Sequence, residues 1–418
     1  MSKLNIYFDN AATTMPLFSA RENAFAMSCD SNRNAQGMFF SGDSGAGFFA
    51  NPSSPHVLGI QAERALFAAR KEMASVLGCR ENEIIFTSGG TEANNLAVLG
   101  FALANKRQQP KIFASMWEHP SVVEPILFAE ELGLAEAVIA PLSLSVSSPS
   151  QSQNGRNACP RLVCMSHVNS ETGDIANINE WAAKLKSENS ETVVFVDGVQ
   201  SFCKEPVDLS NIDIFSFSGH KLHGARGVGG IFVRNGIRLV PLMRGGGQEG
   251  GIRAGTENTA NILQTVDAVK KMHSSMQDNH ARVLSIKNEL LQLVTDLPDV
   301  FENTLQNSAK DSNEVSDFQE GFINKTSPYI LNLSFSGIKG ETLVHILSEK
   351  GIFTSMGAAC RSRKKQKSAL ELMGFTQERA QSAVRFSFSH INTIEEAAIT
   401  REIIVEQVNM MRRVLRRT

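Results

Sequence analysis

The chain has 418 residues, 42% apolar and 20% charged, with a net charge of −2. At about 150 residues per domain this allows two to three domains, and the mix excludes a collagen-like or wholly disordered chain. The charge balance argues against a basic nucleic-acid binder, no run of about 18 apolar residues is there to span a membrane, and MSKLNIYFDNAATT at the start has no apolar leader core, so a cytoplasmic protein is expected.

In chain order, apolar residues recur at helical spacing over 55–77 (Leu58, Ala62, Leu66, Ala69, Met73, Leu77), and Gly78 suits the C-terminal cap. A short run at 83–87 reads as a buried strand. The turn Ser88-Gly89-Gly90-Thr91 then opens a second helix through Leu96 and Leu99. Strand-like runs at 111–115, 135–140, 162–166, 192–196, 212–217 and 228–233 alternate with helical ones. That alternation predicts an α/β domain with a largely parallel sheet covered on both faces. The pattern changes near Gly255. One long helix is predicted over 259–297, then a strand at 330–335, a helix at 341–349, a strand at 384–389 and a closing helix at 393–417. These make a smaller α+β domain. The expected division is 15–258 for the large domain, with 1–14 and 259–418 in the small one. Three polar stretches read as surface loops: 30–49, 143–153 with six serines in eleven residues, and 303–327.

The six cysteines are Cys29, Cys79, Cys159, Cys164, Cys203 and Cys360. They form no CxxC pair, which argues against both a zinc site and a disulfide scaffold. Most suit a role as small buried apolar residues. Cys360 differs. It follows Ser355-Met356-Gly357-Ala358-Ala359, and four of the next five residues are cations, Arg361, Arg363, Lys364 and Lys365. Such neighbours raise a thiolate fraction; a chance surface thiol beside a solvated basic run is the plainer alternative.

Three further segments fall after strands of the same sheet. Asp197, in Phe195-Val196-Asp197-Gly198-Val199-Gln200, is equally a helix cap or a ligand carboxylate at a strand end. Lys221, in Ser218-Gly219-His220-Lys221, is a loop lysine or a lysine held for Schiff-base chemistry. Thr87–Asn95 is a capped turn or a phosphate site at a helix N-terminus.

Taken together, YFDNAATT (7–14), NPSSPHVLG (51–59), FTSGGTEANN (86–95), EHPSV (118–122), HVNSETG (167–173), VDGVQS (196–201), SFSGHKLHGARGVGG (216–230), GGGQEGGIRAGTEN (245–258), LNLSF (331–335), SMGAAC (355–360) and VRFSFS (384–389) resemble the cysteine desulfurases. These are enzymes of the class V aminotransferase group that use pyridoxal 5'-phosphate. The resemblance implies the fold-type I architecture of such enzymes and gives each matched residue a role. Lys221 carries the cofactor and later moves the substrate's α-proton. Asp197 pairs with the pyridine nitrogen, Gln200 meets the phenolic oxygen, and His119 stacks on the ring. Gly90, Thr91, Ser218 and His220 hold the phosphate, and Asn169 touches the cofactor. Thr256 reaches the phosphate of a neighbouring subunit, which implies a homodimer. Arg385 clamps the carboxylate of L-cysteine, with Asn51 and Asn332 assisting. Cys360 is the nucleophile that takes the sulfur as a persulfide and carries it to an acceptor protein, an iron–sulfur scaffold or a tRNA-thiolation protein. No resident metal is implied, beyond transient ligation of an iron–sulfur cluster by Cys360. A selenocysteine lyase or another class V enzyme is the nearest alternative, and a non-enzymatic partner protein on the same fold the more distant one. The chain departs from the pattern in the 30–49 insertion, the basic run after Cys360 and a short C-terminus, which leaves scaffold docking open.

Overall fold

Helix α1 (Val57–Leu77) shows why these residues fold as they do. The His56 ring accepts from Gly59 N at its N-terminus, and Gly78 closes it at φ 68°, a left-handed conformation that glycine adopts without strain. Its buried face is Gly59, Ala62, Leu66, Ala69, Met73 and Leu77, at three- and four-residue spacing. The structure is a computed structural model and describes residues 4–17, 50–141, 160–308, 322–356 and 368–415. The expected excursions at 30–49 and 143–153, along with Cys29, Cys159, Cys360 and the basic run after it, lie outside the described residues.

Strand β1 (Ile6–Tyr7) precedes α1. After it come β2 (Ile84–Thr87), α2 (Gly90–Ala104), β3 (Lys111–Ser115), α3 (Pro120–Glu131), β4 (Glu136–Ala140), β5 (Leu162–Ser166), β6 (Asp174–Ala176) and α4 (Ile178–Glu188). The chain continues through β7 (Val193–Asp197), β8 (Ile214–Ser218), β9 (Gly229–Val233), α5 (Thr259–Ser274) and α6 (Met276–Leu291). It then runs through β10 (Val300–Glu302), β11 (Phe322–Thr326), β12 (Ile330–Phe335), α7 (Gly340–Glu349), β13 (Ile352–Phe353), β14 (Ala383–Ser387) and α8 (Ile394–Leu415).

Seven strands form the main sheet in the order β2-β9-β8-β7-β5-β3-β4. Its strands alternate between two cores. Phe113, Val163, Met165, Val194 and Val196 meet α1, α4 and α5 on one face. Ile112, Leu162, Cys164 and Phe195 meet α2 and α3 on the other. Burial of each such side chain contributes roughly 1.5–3 kcal/mol. The largely parallel sheet is present, with one exception: β9 runs antiparallel to both β2 and β8. No helix crosses over between β8 and β9, so the chain turns back beside itself.

A separate core joins Ile6 and Phe8 to β12, β14, α6, α7 and α8 through Leu331, Phe386, Ile286, Leu343 and Ile404. Here β10, β12 and β14 form an antiparallel sheet, and β1 pairs with β13. Two expectations are corrected. The single helix over 259–297 is broken: Ser275, at φ −109° and ψ 16°, closes α5 and opens α6, and Leu293–Asp296 makes a further short helical turn. The polar stretch 303–327 is not all loop, because Leu305–Ser308 is helical and β11 pairs with β6.

Candidate functional site

Every element bearing on the site delivers its residue at the C-terminal edge of the main sheet, where α/β sheets leave room for ligands. Asp197 is the last residue of β7 and Ser218 the last of β8, while Lys221 sits on the 3₁₀ turn directly after β8. His119 caps the N-terminus of α3. Gly89 opens α2 at φ 154° with no side chain capping it, so the N–H groups of the first helical turn face outward. A Cβ on Gly90 would lie 2.6 Å from Val199 Cγ2, so only glycine lets α2 approach the turn after Asp197 this closely. A cavity of about 240 Å³ results, and Gly90, Thr91, His119, Asp197, Gln200, Ser218, His220 and Lys221 all line it.

Charge and burial tune these groups. Desolvation, with the Arg385 guanidinium nearby, pulls the Lys221 ammonium down to about 8. Its Nζ donates to Ala12 O at 2.8 Å and also to Ala11 O, so residues 11–14 lie across the lysine. Gln200 Nε2 donates to the same Ala11 carbonyl at 3.0 Å. Burial, followed by the Lys221 charge, pushes His220 down to about 4, so it is neutral at pH 7. Both oxygens of Asp197 are engaged, Oδ1 by Val199 N at 2.9 Å and Oδ2 by Asn94 Nδ2 at 2.8 Å.

Arg385 stands beside this cavity. Nη1 donates to Ser170 O at 2.9 Å, and Nη2 pairs with Asp9 Oδ1 at 3.2 Å. Burial raises the Asp9 carboxyl against the opposing pull of Arg385. Asn332 faces Arg385 across the β12–β14 register and is fully engaged, donating to Glu171 O at 3.1 Å and accepting from Asn303 at 2.8 Å. Asn169 spends its side-chain carbonyl on Glu171 N and Thr172 N, shaping the loop that holds Arg385. Exposed Asn51 accepts from Ser53 N, and Thr256 is exposed as well. None of Asn51, Asn169, Thr256, Asn332 and Arg385 lines the cavity, and Cys360 lies outside the described residues.

Sequence reasoning passed over Asn94, Ser121, Asp9 and the two alanine carbonyls. Asn94 carried one signal: it lies four residues after Gly90, on the same helix face.

The cavity fits pyridoxal phosphate. The Ser218 hydroxyl is buried with no partner among the described residues, beside the open turn of α2, where a phosphate needs donors. The Gln200 Oε1 is likewise buried and unpartnered. A carboxylate at Asp197 and an easily deprotonated lysine at Lys221 match the ring nitrogen and the aldehyde.

The family model for "Aminotransferase class-V" matches residues 45–399. A cysteine desulfurase IscS of Buchnera aphidicola is 32% identical over 372 residues, 88% of this chain and 87% of that protein. A NifS/IcsS protein homolog of Lactobacillus delbrueckii is 34% identical over 396 residues, 94% of each chain. Among solved structures, a NifS-like protein superposes with a TM-score of 0.80 at 27% identity, covering 97% of this chain and all of that one. The chain belongs to the class-V aminotransferase family, among the relatives of the NifS and IscS cysteine desulfurases.

Proposed function

We propose that this cavity removes the sulfur of L-cysteine, giving L-alanine and a persulfide on Cys360. The observation that carries the reading is the convergence of Lys221, Asp197, His119 and the open N-terminus of α2 on one cavity. Pyridoxal phosphate, when bound, supplies the electron sink that lets the substrate's α-carbon lose a proton. Lys221, with its pKa brought near 8, holds the cofactor aldehyde and then takes and returns that proton at Nζ. Asp197 presents its fixed carboxylate to the ring nitrogen. Gly90, Thr91, Ser218 and His220, which line the cavity together, would hold the phosphate, and Gln200 would bind the phenolic oxygen. Arg385 binds the substrate carboxylate through its fork, with Asn332 and Asn169 supporting it through the 169–173 loop.

The Cys360 thiolate attacks the substrate sulfur. An S–S bond forms, and the C–S bond breaks with its electron pair left on the carbon skeleton, which a proton then completes to alanine. The segment carrying Cys360 departs beside the substrate clamp, because Ser355 and Arg385 exchange backbone hydrogen bonds at 3.2 and 2.7 Å. Cys360 follows Ser355 by five residues, which reach at most about 17 Å. Residues 15–258 form the cofactor domain in this reading, and the remaining residues carry the thiol. Thr256 serves a second subunit. The sulfur goes to an acceptor protein of iron–sulfur assembly or tRNA thiolation.

The test is incubation with L-cysteine, reductant and pyridoxal phosphate, measuring alanine and sulfide. Wild type makes both, and Lys221→Ala and Cys360→Ala make neither above background. Sulfide at the wild-type rate from Cys360→Ala overturns the desulfurase reading.

A further inference from the structure

Asn94 belongs to none of the roles above, yet its buried amide touches one of those residues and reaches a second through Ser121. Its Nδ2 lies 2.8 Å from Asp197 Oδ2 and 2.8 Å from Ser121 Oγ. Ser121 Oγ lies 2.7 Å from His119 Nδ1, and Ser121 N donates to the same ring nitrogen at 3.1 Å. Asn94 is 1% exposed and Ser121 8%, and both line the cavity.

The direction of each bond is forced. An ionised carboxylate only accepts, so the amide nitrogen of Asn94, not its oxygen, faces Asp197. The other proton on that nitrogen goes to Ser121 Oγ, which therefore accepts. The hydroxyl proton of Ser121 is left to point at His119 Nδ1. Nδ1 has one lone pair, which the Ser121 hydroxyl at 2.7 Å and the backbone N–H at 3.1 Å share, so the imidazole carries its proton on Nε2, with the hydroxyl as the nearer donor.

We propose that Asn94 is a positioning residue: one buried amide holds the Asp197 carboxylate and, through the Ser121 hydroxyl, keeps His119 neutral with its proton on Nε2. This deepens the desulfurase reading and rests on it for the roles of His119 and Asp197. It couples the group beneath the ring nitrogen to the group stacked over the ring face. A change at either end is felt at the other through three hydrogen bonds rather than through the cofactor.

The tautomer is readable without turnover. The full chain, labelled with ¹⁵N-histidine and examined by NMR before pyridoxal phosphate is added, shows the His119 resonance, identified by its loss in His119→Gln. Wild type gives an Nε2–H imidazole with an unprotonated Nδ1. Ser121→Ala and Asn94→Leu each move His119 toward a mixed tautomer, and Ser121→Thr, which keeps the hydroxyl, restores the wild-type form. Thermal unfolding confirms that the variants fold, with Ser121→Ala the conservative arm. In the holoenzyme, the kcat for alanine formation falls at least about tenfold in Asn94→Leu, as expected for the loss of a hydrogen bond to a charged group, while KM for L-cysteine changes less than threefold. A proton on Nδ1 in the wild type, or an unchanged tautomer in both Ser121→Ala and Asn94→Leu, overturns the proposal. Failure of the desulfurase reading shows separately, as absence of alanine from wild-type protein whose His119 tautomer is as described.

Discussion

At the scale of single residues, the site region holds more ionisable groups than its chemistry uses. Glu118, next to His119, is fully buried and accepts from the hydroxyls of Ser115 and Ser166. Those two bonds pull its pKa down, but burial dominates and holds the carboxyl up at about 7. An unfolded chain loses that proton near pH 4.5. Between about 4.5 and 7 the folded chain therefore keeps a proton that the unfolded chain has released, and stability falls as pH rises, by about 3 kcal/mol in all. Glu118→Gln keeps a neutral group of similar shape and has no proton to lose. The variant is expected to match wild type in thermal unfolding at pH 5 and to exceed it by several degrees at pH 8. Equal melting temperatures at both pH values would mean that Glu118 ionises freely in the folded chain. Asp197, Lys221 and His119 were legible in the sequence because they sit in recognisable segments after strands. Glu118, Asp9 and Asn94 were not assigned roles, because a polar side chain in a one-dimensional pattern looks solvated until the fold buries it.

At the scale of elements, periodicity revealed what local burial dictates. Helix α1 and the strands of the main sheet lie close to their expected spans, since each buries a face that recurs at 3.6 or 2 residues. Direction and pairing were not legible. A strand such as β9 carries no mark of being antiparallel, and β11 pairs with β6, which lies nearly the whole of a domain earlier in the chain. The break at Ser275 was hidden because apolar spacing resumes on the far side. Two glycines separate what holds an element from what holds the site. Gly78 ends α1 at φ 68° with open space where a Cβ would go. Gly78→Ala meets only backbone strain and is expected to lower stability by about 1 kcal/mol, leaving cofactor retention unchanged. Gly198, directly after Asp197, would place a Cβ 1.9 Å from Phe215 Cζ. Gly198→Ala must displace either the buried ring or the end of β7. It is expected to cost about 1–3 kcal/mol and also to weaken pyridoxal phosphate binding, read from the lysine-bound absorbance band during dialysis. Retention equal to that of Gly78→Ala would show that the end of β7 does not depend on this contact.

At the scale of the whole molecule, the loop 245–258 is tied to its own chain yet leaves Thr256 exposed. Arg70 grips Glu249 with both guanidinium arms at 2.7 Å, and the same carboxylate accepts from Phe86 N at 2.8 Å. Further along, Arg253 Nε meets Glu92 Oε1 at 2.8 Å, on the first turn of α2. Two ion pairs thus fix the loop against α1 and the first turn of α2, yet Thr256 within it is exposed and absent from its own cavity. The proposed reading assigns this exposed threonine to the phosphate site of a second copy of the chain. Subunit mixing tests this. Lys221→Ala removes the lysine from its own site, while Thr256→Asp sets a carboxylate against the neighbour's phosphate, and each homodimer is expected to be inactive. In a heterodimer, one site collects both defects and the other has neither. Random pairing makes heterodimers about half of the population, so mixing restores roughly a quarter of the wild-type sites. If Thr256 acted within its own chain, every site in the mixture would carry one defect and alanine formation would stay at background.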